Sequence, residues 1–180
     1  MNAFGPAESN RVINRAPSPL VARALPWLVI MAGSVAQGMP LIASAPVMPP
    51  FGFLLLLAWR QLRPGVLPVW AGLPLGLFDD CYSGQPMGSG MLLWSAAMIG
   101  MDAIEIRFPW RSYVMEWLVA AAFILGYLLL AGGIAHVGGS IPVLNALVPQ
   151  LIFSVLTFPL VERFVAACDR ARLWRFRAFT

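Results

Sequence analysis

Two adjacent carboxylates, Asp79 and Asp80, close an apolar stretch that carries no formal charge from Val66 to Phe78. A turn-forming segment follows them, Cys81-Tyr82-Ser83-Gly84-Gln85-Pro86-Met87-Gly88. Paired carboxylates beside such a turn have three chemical uses: binding a cation, holding a substrate, or moving a proton. Acidic side chains at membrane depth are costly and tend to be functional. The competing use is structural, as a cap where a helix meets water. No His and no Ser/Lys pair stands near them in sequence, so the structural use is favoured. A second group is Asp102 and Glu105, which share one helix face at i and i+3. Arg107, Arg111 and Glu116 follow closely. These five residues read as an ion-pair cluster at the inner membrane boundary, locking two helices together; a proton or cation path is the alternative. His136 is the single histidine and cannot build a metal site alone. Cys81 and Cys168 fit neither a metal motif nor a disulfide framework. The chain lacks a Walker loop, H-E-x-x-H, G-x-S-x-G and a dinucleotide fingerprint. The expectation is a protein with no catalytic residue, no metal and no cofactor.

The elements that must position these groups are set by composition. Of 180 residues, 59% are hydrophobic and only 11% charged, against about 25% in soluble domains. That is too little polar surface for a water-soluble domain of this length. A bilayer accepts it, provided that the backbone is helical or closed into a barrel. The chain is read as all-α and polytopic, with six transmembrane helices. Spans are expected near Leu25–Ala45, Met48–Leu62, Val66–Phe78, Gly90–Ile106, Tyr113–Ala131 and Ile141–Val161. Gly and Pro residues between them mark the breaks. In domain terms this gives a polar N-terminal segment (1–23), a six-span membrane domain (24–164) and an Arg-rich tail (165–180). The tail is expected to lie as an amphipathic helix on the inner leaflet.

All twelve basic residues are Arg. With both termini cytoplasmic, the inner segments hold three, two, two and five of them, and the outer turns hold none. This is the positive-inside distribution expected of a bacterial inner-membrane protein. It also gives the net charge of +4 a topological origin and no nucleic-acid partner. Arg60 is expected to snorkel to the interface. Trp27, Trp59, Trp110, Trp117 and Trp174 are expected in interfacial belts. Gly72 and Gly76, and then Gly84 and Gly88, form two G-x-x-x-G patterns of the kind that lets helices approach closely in lipid.

The stretch from Gly76 to Gly88 resembles the signature of the bacterial rod shape-determining protein MreD family. That signature is a glycine, an aspartate four residues on, Ser-Gly, then Pro-x-Gly. Asp80 matches its aspartate, and Gly76, Gly84, Pro86 and Gly88 match the other positions. Pro50-Phe51-Gly52-Phe53-Leu54-Leu55-Leu56 with Trp59-Arg60 looks like the family's second span. The likeness covers about residues 24 to 165. It implies a non-enzymatic scaffold of the cell-elongation machinery, which guides peptidoglycan synthesis together with MreC. MreB, RodA and a transpeptidase are the further implied partners. It also implies a fold similar to the substrate-binding subunits of energy-coupling-factor transporters, so the alternative function is a small-molecule-binding transporter subunit. In the scaffold reading Gly72, Gly76, Asp79, Asp80, Gly84, Pro86 and Gly88 form a structural or partner-binding motif. Asp80 is then expected to hold a bend by accepting backbone hydrogen bonds.

Overall fold

The run Phe51–Leu62 is apolar on nearly every side, which is the pattern of a helix surrounded by protein. In the computed structural model, which describes residues 19–37, 48–107, 112–137 and 144–172, it forms helix α2, and ten of its twelve residues are buried. Around it stand α1 (Pro19–Gln37), α3 (Gly72–Ser83, entered through a 3-10 turn at Val69–Ala71), α4 (Ser89–Arg107), α5 (Tyr113–Val137) and α6 (Leu144–Arg172). No strand occurs among the described residues. The core is built from Phe53, Leu54, Leu56, Leu57 and Trp59 of α2, against Ile30, Leu75, Trp94, Met98, Ile124 and Phe158 of the surrounding helices.

Contacts at the helix ends fix an alternating arrangement. At one end Gly33 of α1 lies against Gly52 of α2. At the same end Gln150 of α6 donates to the Met48 carbonyl at 2.8 Å, just before α2. Asp80 near the end of α3 binds the start of α4, and Gln85 reaches Tyr127 in the second half of α5. At the other end Arg60 and Gln61 of α2, with Arg63 just after it, reach α4, α5 and α6. Successive helices therefore run in opposite directions.

Helices α4, α5 and α6 are long and apolar enough to cross a membrane. Along α6 the side chains Ile152, Leu156, Leu160 and Phe164, each one turn from the next, are all more than half exposed. An outward apolar stripe of that length suits lipid and not water. Pro159 lies inside α6 and has no N–H to offer the carbonyl four residues earlier, that of Val155. The Trp117 indole N–H of α5 donates to that freed carbonyl at 3.2 Å.

Several boundaries differ from the sequence reading. Helix α3 continues to Ser83, where Gly84 stops it in the left-handed conformation (φ +67°). Asp79 and Asp80 therefore sit on the helix and not in the turn. Helix α5 runs through Gly132 and Gly133 to Val137. Helix α6 runs unbroken past position 164 to Arg172. Val165 packs into the core and Asp169 is buried, so this stretch is part of the bundle and not a surface helix. Trp59 is fully buried in the core and belongs to no interfacial belt. Arg111, Trp110 and Trp174 lie outside the described residues.

Candidate functional site

The first four N–H groups of a helix have no partner within it and attract a carboxylate. The turn from α3 to α4 supplies one. Asp80, 4% exposed, accepts the backbone N–H of Gly88 at 2.8 Å and of Gly90 at 2.7 Å, with Met91 N–H at 3.4 Å. The Ser89 hydroxyl lies 3.3 Å from the same carboxylate and donates to the Pro86 carbonyl at 2.7 Å. Gly84 and Gly88 (φ +67° and +95°) take left-handed backbone conformations that strain other residues. The chain thus turns tightly enough for a side chain on the outgoing helix to cap the incoming one.

Below the turn, α3 and α4 touch backbone to backbone. A Cβ on Gly76 would stand 2.5 Å from the Gly90 carbonyl oxygen, and one on Gly72 would stand 2.8 Å from that of Trp94. The G-x-x-x-G at Gly72 and Gly76 is consumed by this seam, so it is not a free face for a partner. A Cβ added at Gly84 or Gly88 would meet nothing within 4 Å, so these two glycines serve the turn and not helix packing.

Asp79, one position earlier, points elsewhere. It is 1% exposed and lies beside Ser34 of α1, also 1% exposed. Gly52 of α2 makes room for it, since a Cβ there would stand 3.2 Å from Asp79 Oδ1. Phe53, Trp94 and Tyr127 pack close by, with the Phe53 and Tyr127 rings stacked at 4.3 Å. The Tyr127 oxygen accepts from Gln85 Nε2 at 3.3 Å. Sequence reasoning gives Ser34, Gln85 and Tyr127 no role; the signal at Ser34 and Tyr127 is a polar group within an apolar run, whereas Gln85 stands in the turn.

The two aspartates should respond unequally to substitution. Asp80→Ala strands the first N–H groups of α4 and is expected to cost about 2 kcal/mol. Asp79→Asn removes a buried carboxylate whose Oδ1 accepts no hydrogen bond among the described residues, and should cost about 1 kcal/mol or less. Thermal unfolding of the two variants in detergent measures the difference.

The opposite end holds the second charged group, organised differently from the sequence reading. Arg60 is 5% exposed and does not snorkel; its Nη2 meets Asp102 Oδ1 at 2.5 Å and Glu105 Oε2 at 3.0 Å. Arg63 Nε meets Asp169 Oδ2 at 2.9 Å, and Gln61 Nε2 donates to the Glu116 carbonyl at 3.0 Å. The cluster is therefore gathered by α2, which it ties to α4, α5 and α6, and it does not lock α4 to α5. The reason is length. Twelve residues of helix rise only about 18 Å, so α2 ends at the depth of Asp102 and its last side chains meet carboxylates before water. Arg107 is exposed, and neither it nor the Glu116 carboxylate has an ion pair among the described residues. Adjacent Glu162 and Arg163 do not pair either.

Two apolar cavities open between the helices. One of about 390 Å³ lies between α4 and α5, lined by Phe53, Ala97, Phe123, Gly126 and Tyr127. The other, about 680 Å³, lies between α1, α2 and α6. The acidic groups do not converge on either, and Asp79 with Asp80 lies at the opposite end from Asp102 with Glu105. No group of three or more His, Cys, Asp or Glu suited to a metal ion occurs among the described residues. No protein-family model, characterised protein or solved structure matches this chain.

Proposed function

We propose that this chain is a non-enzymatic membrane scaffold of the MreD type, acting with MreC in the cell-elongation machinery. In this reading all six helices cross the bacterial inner membrane with both termini cytoplasmic. The fold is then of the energy-coupling-factor substrate-binding kind. The observation that carries it is the use made of the Gly76–Gly88 signature. Asp80, Gly76, Gly84 and Gly88 are spent on a capped turn and a backbone seam, which is an architectural use. Alternation of the helices and gathering of Arg60 and Arg63 at one end support the proposed orientation. MreB, RodA and a transpeptidase are the wider partners of this reading.

Two measurements test it. Tagged full-length chain purified from native membranes is expected to bring MreC with it, and its depletion should round the cells. Absence of MreC together with unchanged rod shape would overturn the scaffold. For orientation, an impermeant maleimide should label the exposed Cys81 from outside intact cells and spare a cysteine at Pro64 in a background without Cys81 and Cys168. Labelling at position 64 from outside would overturn the six-span arrangement.

A further inference from the structure

At the Arg60 end, a cavity of about 290 Å³ lies where the end of α2, the start of α5 and the second half of α6 meet. Its walls carry Glu116, Glu162, Arg163 and Tyr113, over an apolar floor that includes Leu62 and Pro159. The two carboxylates come from different helices and are near enough to repel each other. Neither carboxylate, nor the Arg163 guanidinium, has an ion pair among the described residues. Charges of both signs thus stand around one cavity without neutralising one another.

We propose that this cavity binds the zwitterionic headgroup of phosphatidylethanolamine. Its ammonium offers three N–H donors, enough to bridge Glu116 and Glu162 and relieve their repulsion. Its phosphate sits one short linker away, for the Arg163 guanidinium and the Tyr113 hydroxyl. The apolar floor takes the start of an acyl chain. A basic side chain from a partner protein satisfies the carboxylates but meets Arg163 as a like charge. An anionic lipid satisfies Arg163 but meets two carboxylates. Phosphatidylcholine carries the same charges, but its trimethylammonium has no N–H to donate. The inference rests on this end lying at the membrane boundary and is independent of any role with MreC.

The test is native mass spectrometry of the full chain in detergent with equimolar phosphatidylethanolamine, phosphatidylcholine and phosphatidylglycerol. Ethanolamine lipid is expected to be retained about tenfold over the other two. The E116Q/E162Q double variant should bind ethanolamine and choline lipids equally, and R163Q should weaken retention of all three. Should the double variant fail to fold, the mono-, di- and trimethylated ethanolamine lipids replace it, with retention by the wild type falling at each methylation. Equal retention of ethanolamine and choline lipids by the wild type overturns the proposal. So does a preference that survives in folded E116Q/E162Q, or retention indifferent to methylation.

Discussion

Gly76→Ala is expected to cost the fold about 3 kcal/mol, at the top of the range for overpacking a core. The new methyl group would stand 2.5 Å from the Gly90 carbonyl oxygen, 2.7 Å from its carbon and 2.8 Å from Met91 Cα. All three are backbone atoms of α4 and cannot turn aside as a flexible side chain does. To admit the methyl group, α3 and α4 must separate, and that pulls the Asp80 carboxylate from Gly90 N–H, now 2.7 Å away. One added carbon thus loosens both the seam and the cap. Gly126→Ala is the matched control, because a Cβ at Gly126 meets nothing within 4 Å. Thermal unfolding in detergent should show a large loss for the first substitution and almost none for the second. Equal effects would mean that the backbone contact is not what holds these helices.

Arg60→Ala is expected to be about as damaging. It removes the cation that faces Asp102 and Glu105, leaving two carboxylates one helical turn apart without it. Breaking a fully buried ion pair from one side costs roughly 3–5 kcal/mol. Here the carboxylates are 42% and 31% exposed, so water takes up part of the loss and about 3 kcal/mol is expected. The sharper measurement is a combination. Arg60→Met with Asp102→Leu and Glu105→Leu should recover most of the stability, because the whole charged group leaves together. A triple variant no more stable than Arg60→Ala would show that the loss came from Arg60 packing and not from stranded charge.

Much of the helical layout was legible because apolar runs and their Gly/Pro breaks are local signals. Helices α2 and α4 lie within three residues of the ranges read from the sequence. The bend at Asp80 was legible for the same reason, since its acceptor, its glycines and its donors all lie within about a dozen residues. What was not legible is partnership across the chain. Arg60 and Asp102 are 42 residues apart, and Arg63 and Asp169 are 106 apart. Position in sequence made Arg107 and Arg111 the nearer partners for Asp102, whereas the short α2 delivers Arg60 to it. Asp79 and Asp80 look alike as a pair, yet one helical step turns them toward different neighbours. The boundary at Phe78 was misread because a carboxylate was taken to end a helix. Gly84 ends it, and Asp80 uses that last turn to reach the next helix.

In the proposed six-span arrangement, helix α3 has one more consequence, for the bilayer around it. Its twelve residues rise about 18 Å, and Leu73 and Leu77 on its outer side are more than two fifths exposed. Hydrocarbon about 30 Å thick cannot rest level against a wall of that height. If α3 crosses the membrane as proposed, lipid tails beside it must shorten or splay, dimpling the sheet there at a fraction of a kcal/mol per ångström. Thin, short-chain bilayers should therefore suit the protein better than thick ones, and neighbours with equally short walls should gather at the same dimple.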